Sequence, residues 1–63
     1  MKRRDLERHL RAHGATLRKE GGNHSKWISP KGTSAVPRHN EIKPTVVRSI
    51  CRQLGIPAPH NPN

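Results

Sequence analysis

The apolar positions of this chain change their spacing from helical to alternating and back again. Leu6 and Leu10 lie one helical turn apart, with Ala12 nearby and charged residues between, which predicts an amphipathic helix from about Arg3 to Ala12. Asp5 and Glu7 near its start and Arg11 and His13 near its end suit the helix dipole, and Gly14 is a natural stop. The period then falls to two. "ATLRKE" alternates at Ala15 and Leu17 and predicts a half-buried strand, and "HSKWIS" predicts a second one. Gly21 and Gly22 between them are expected to supply the positive φ values of a tight two-residue hairpin. "SPKGT" places Pro30 and Gly32 where a type I turn favours them. "SAVPR" predicts a short third strand, which Pro37 ends or confines to a sheet edge. Pro44 fits the first position of a second helix, whose stripe is Val47, Ile50, Cys51 and Leu54 and whose stop is Gly55. The order helix, strand, strand, strand, helix places the chain in the α+β class. Within "HSKWIS", His24 and Ile28 share one face and Ser25 and Trp27 the other, and the pattern does not say which is buried.

Composition narrows what such a fold can be. Sixty-three residues make a single small domain, of a size that buries only about 60% of its unfolded surface. One tryptophan with no phenylalanine or tyrosine leaves a thin, mainly aliphatic core. The lone cysteine, Cys51, cannot form an internal disulfide, and no structural zinc framework can be assembled around it. Its place on the apolar stripe of the second helix reads as packing. A marginal domain of this kind gains stability from a partner that covers apolar surface. Thirteen Lys and Arg against four Asp and Glu give a formal charge of +9, which points to polyanions and first to nucleic acid. An anionic membrane fits less well, because no segment is a long basic amphipathic helix with bulky apolar residues. "MKRR" is followed by no apolar run, so neither an export signal nor a membrane span is expected, and the cytoplasm is the expected compartment.

Chemistry then has few places to reside. His24 follows the Gly21-Gly22 turn, which permits close approach of a backbone, and Arg18, Lys19 and Lys26 are near it in sequence. An imidazole can accept and give up a proton near neutrality, the two roles that cleavage of RNA through its 2′-OH requires. The plainer alternative is a strand histidine that only touches phosphate. His39 in "PRHNE" either faces the same edge or caps its loop. His9 and His13, one turn apart, lack a third ligand and read as a solvated pair, and His60 belongs to the C-terminal segment. Trp27 is either a base-stacking surface or core. With no phosphate-cradling loop, paired carboxylates or Ser-His-Asp set, any catalysis must use histidine, backbone and basic side chains, without cofactor or metal.

"GGNHSKW", then "VPRHNEIKPTVVRSICRQLGI", behind an opening "MKRRDLERHLRAHG", resembles the HicA (YcfA-like) toxins of bacterial toxin–antitoxin systems over about residues 2–56. The resemblance implies a fold like that of double-stranded-RNA-binding domains, α-β-β-β-α, with a three-stranded antiparallel sheet and both helices on one face. It implies a ribosome-independent mRNA interferase whose catalytic residue is the histidine of the G-x-H stretch, here His24 after Gly22 and Asn23. It also implies neutralisation by a HicB antitoxin whose N-terminal part covers the active site in a heteromeric complex. Many members carry serine where this chain has Asn23, and only one histidine falls in a catalytic motif.

The resulting expectation is a toxin domain over residues 1–56, a proline-rich tail over 57–63, and metal-independent endoribonuclease activity with His24 as general base or acid. Arg18, Lys19, Gly22, Lys26 and Arg38 are the expected RNA contacts. Two other classes remain open from composition: a non-catalytic RNA-binding module of the same fold, and an interaction protein that recruits an acidic partner.

Overall fold

The computed structural model describes residues 1–60, and the last residues of the expected tail, 61–63, lie outside the described ones. Five elements follow in order: α1 (Arg3–Ala12), β1 (Thr16–Glu20), β2 (His24–Ser29), β3 (Gly32–Pro37) and α2 (Pro44–Leu54). The strands form one antiparallel sheet in the order β1-β2-β3, so β2 is central. The α-β-β-β-α order and the three-stranded sheet are those expected from the spacing of apolar residues.

Burial alternates along the two inner strands and identifies the covered face. Ser25 and Trp27 of β2 and Ser34 and Val36 of β3 are buried, whereas His24, Lys26, Thr33 and Ala35 are exposed. The covered face meets Leu6 and Leu10 of α1 and Val47, Ile50, Cys51 and Leu54 of α2, and these side chains form one core. Trp27 lies at its centre, fully buried, with the Arg11 guanidinium carbon 4.9 Å from its ring centroid. A tryptophan so placed offers no surface for stacking on a base. Its indole Nε1 has no hydrogen-bond partner, a burial cost of roughly 1–3 kcal/mol that the surrounding apolar contact must offset.

Both helices end in the same way. Gly14 and Gly55 adopt left-handed φ values of 89° and 68°. After α1, the Gly14 N–H donates to the Arg11 carbonyl and the Ala15 N–H to that of Leu10; after α2, Gly55 donates to Arg52 and Ile56 to Cys51. These paired bonds are the Schellman arrangement, and each sends an apolar residue, Ala15 or Ile56, back against the core. Just beyond, His9 Nε2 lies 2.7 Å from the Pro57 carbonyl oxygen, an exposed contact through which His9 meets the chain after α2. Its ring also lies 4.5 Å, centroid to centroid, from that of His13.

Two expectations about β1 and its turn are corrected. Every residue of β1 is exposed, including Leu17 at 38%. Leu17 is paired with Trp27 and so belongs to the covered side, but α2 packs on β3 and β2 and leaves this edge strand bare. Neither Gly21 nor Gly22 has a positive φ. Gly21–Asn23 separate the strand ends, and the chain reverses there without left-handed geometry at either glycine.

Candidate active site

His24 opens β2 on the uncovered face, and its imidazole joins in no side-chain hydrogen bond among the described residues. The preceding turn closes on itself through the Gly21 N–H, which donates to the His24 carbonyl at 2.8 Å. That closure explains the glycine. A Cβ on Gly21 would lie 2.7 Å from the His24 carbonyl oxygen, so close approach, not a left-handed φ, requires glycine there. Around Gly22 nothing lies within 4 Å of an added Cβ.

Lys26 lies two residues further along the same face, and its neighbour across the sheet is set by an irregularity. Thr16 pairs with Ile28 and Leu17 with Trp27, but Lys19, not Arg18, pairs with Lys26. The bulge between Leu17 and Lys19 takes Arg18 out of register and brings two lysines opposite each other. Directly opposed like charges destabilise a sheet, and neither lysine has an acidic partner among the described residues. A phosphate between them would reverse the sign of that interaction. Lys19, Gly21, His24 and Lys26 line one shallow concavity of about 600 Å³, together with Thr33 and Ala35 of β3. Ser34 and Gln53 also border it, joined by a hydrogen bond of 2.6 Å.

Arg38, immediately after β3, is directed at the turn. Its Nη1 donates to the Gly21 carbonyl at 2.8 Å, its backbone N–H donates to the Asn23 carbonyl at 3.1 Å, and its Nη2 lies 4.0 Å from the Glu20 carboxylate. The Arg38 carbonyl in turn accepts from Arg3 Nη1 at 2.6 Å. His39 lines a separate hollow with Pro37, Ile42 and Val46. The structure therefore brings together His24, Lys19 and Lys26 of the expected site residues. Arg18 and Gly22 lie outside the lining of the concavity, and Arg38 engages the turn.

Among the described residues no three His, Cys, Asp or Glu side chains come close enough to hold a metal ion, and no helix is long and apolar enough to cross a membrane. Cys51 is 1% exposed, and its burial raises the thiol pKa above the ordinary value. It is a packing residue.

Sequence reasoning missed three features of this region: the bulge that selects Lys19, the contribution of Thr33 and Ala35 across the sheet, and the part played by Arg3. The alternation of Thr33 and Ala35 with Ser34 and Val36 was a usable signal for the second. The fold and this cluster together define a compact basic domain with a histidine and two lysines on an open sheet. The family model for the HicA toxin of bacterial toxin–antitoxin systems matches residues 3–56, and the chain belongs to that family. Comparison with curated proteins and with solved structures gave no match.

Proposed function

We propose that this toxin is a metal-independent mRNA endoribonuclease with His24 as its acid–base residue. The observation that carries the reading is the convergence of His24 with two directly opposed lysines, Lys19 and Lys26, in one open concavity. Two ammonium groups on paired positions of one sheet face suit a phosphodiester, whose charge grows as the scissile phosphorus becomes five-coordinate. The 2′-oxygen attacks phosphorus as its proton leaves, and the bond to the 5′-oxygen breaks as that oxygen gains a proton. His24 serves one of these transfers. Arg18, on the bulge, contacts RNA beyond the scissile phosphate, and the open space at Gly22 admits the nucleic-acid backbone.

In this reading the toxin acts in the cytoplasm, and a HicB antitoxin neutralises it by covering the same basic face. An inhibitor seated there must present Asp and Glu to Lys19 and Lys26, giving fast, salt-sensitive association. The experiment is incubation of mRNA with the wild type and with His24→Ala, in the presence of chelator. The wild type should yield 5′-hydroxyl ends and cyclic or 3′-phosphate ends, and a substrate with 2′-deoxy at the cut should resist. The variant should lose about 10²–10⁴-fold in rate while remaining folded. Undiminished cleavage by folded His24→Ala would remove the assignment, and a chain that binds RNA without cutting it would be the RNA-binding module.

A further inference from the structure

Arg38 reaches the turn before His24 with two hydrogen bonds, one from its guanidinium and one from its backbone. Its backbone N–H holds the Asn23 carbonyl and its guanidinium holds the Gly21 carbonyl, at 3.1 and 2.8 Å. Both ends of the three-residue turn are thus tied to one side chain and its own peptide. Gly21 is gripped twice, because its carbonyl accepts from Arg38 while its N–H donates to His24 at 2.8 Å. The backbone of His24 therefore rests against a glycine that Arg38 fixes in place. Arg38 is fixed in its turn by Arg3 of α1, whose guanidinium donates to the Arg38 carbonyl at 2.6 Å.

We infer that Arg38 is a positioning residue for His24, and that Arg3 acts through it. The sequence of contacts Arg3, Arg38, Gly21, His24 joins the first helix, the end of the third strand and the proposed catalytic residue. A free hairpin end with Gly21, Gly22 and Asn23 at its tip has little stiffness of its own. A displacement of about 1 Å in a catalytic group can cost on the order of a hundredfold in rate. The alternative use of Arg38, as a phosphate ligand like Lys19 and Lys26, makes different demands. A phosphate ligand needs charge and is largely replaceable by lysine. A clamp on a carbonyl across the hairpin needs the reach and planar fork of the guanidinium, which lysine does not reproduce.

The inference rests on His24 as the acid–base residue, and the test separates the two ideas. Arg38→Lys, Arg38→Ala, Arg3→Ala and the Arg3→Ala/Arg38→Ala pair are compared as full chains at matched folded fraction. Arg38→Lys should lower kcat about 10- to 100-fold. Its affinity for RNA, measured in the His24→Ala background, should stay within about twofold, with the salt dependence unchanged. Arg3→Ala should lower kcat in the same direction, and the pair should be less than additive, as for groups in one network. In the RNA-free proteins, amide exchange should quicken at Gly21 and leave the β2–β3 hairpin unaltered, a pattern that general destabilisation would not produce. The inference is overturned if Arg38→Lys cleaves like the wild type, or if the arginine variants lower the salt slope of RNA binding by about one, as loss of a phosphate contact does. If wild-type protein proved unable to cut RNA, the functional reading would fail, and unchanged Gly21 exchange in Arg38→Lys would still refute the clamp.

Discussion

The two turns of the sheet are held by different means. At the β2–β3 turn, Ser29 Oγ donates to the Leu54 carbonyl at 2.6 Å, joining the turn to the last residue of α2, and accepts from the Lys31 N–H at 3.2 Å. Gly32 approaches so near the Gln53 carbonyl that a Cβ there would overlap it. At the β1–β2 turn no hydrogen bond reaches a helix directly among the described residues, and Arg38 provides the attachment. One turn is fastened to a helix by the Ser29 hydroxyl and by close backbone packing at Gly32; the other, which precedes His24, is fastened by the side chain and backbone N–H of one residue, Arg38. Stability is concentrated in the first and proposed activity in the second, so the same substitution should have different consequences at the two places.

The largest effect on folding is expected from Gly32→Ala. Its Cβ meets backbone at the end of a helix, which cannot swing aside, so the loss should be about 1–3 kcal/mol in denaturant unfolding. Cleavage per folded molecule should be preserved. Gly21→Ala creates a comparable clash with the His24 carbonyl, but in a turn that can relax. It should cost less stability than Gly32→Ala and lower the cleavage rate about tenfold or more by moving His24. If Gly21→Ala unfolded the protein as readily as Gly32→Ala, the contrast between the turns would collapse. Ser29→Ala leaves the Leu54 carbonyl without its donor and should cost about 1 kcal/mol, with no change in cleavage by the folded fraction.

The smallest effect concerns Cys51, beneath the fastened side. Its thiol pKa is raised in the folded chain by burial, so the folded state holds this proton more tightly than the unfolded chain does. The contribution of this group is fully present below the ordinary thiol pKa and is lost as pH rises through the raised one. Stability should therefore decline slightly in the alkaline range above about pH 9 in the wild type, and less in Cys51→Ala. Alkylation of Cys51 under native conditions should be slow and should follow global opening of the fold.

Much of the architecture was legible because its signals are local. The bounds of α1 and α2 followed from apolar spacing, Pro44, Gly14 and Gly55, and "HSKWIS" coincides with β2. Of the alternating pair, Ala15 is buried as expected while Leu17 is not, because alternation reports a capacity to be covered and α2 packs on β3 and β2 instead. Gly21 and Gly22 were read as conformational requirements; one is a requirement of space and the other leaves space unused. At the site, His24, Lys19 and Lys26 were recognisable as types in one stretch, but their register depends on a bulge that alternation cannot reveal. Arg38 was read as an RNA contact. That its guanidinium is directed at the carbonyl of Gly21, 17 residues away, and that its own carbonyl accepts from Arg3, 35 residues away, are long-range facts that local spacing does not carry.

The burial of Trp27 also gives the molecule an optical signature. As the chain's only aromatic residue among Phe, Trp and Tyr, it is the sole source of indole emission and has no tyrosine background. Its ring is fully buried in the core, with the Arg11 guanidinium beside it, and its emission should lie to the blue of that of hydrated indole. Any event that opens the helices from the sheet must wet this ring and shift its colour to the red. Events confined to the opposite face, where His24 and the lysines lie, need not change it. The chain thus carries its own spectroscopic means of telling loss of fold from change at the proposed active surface.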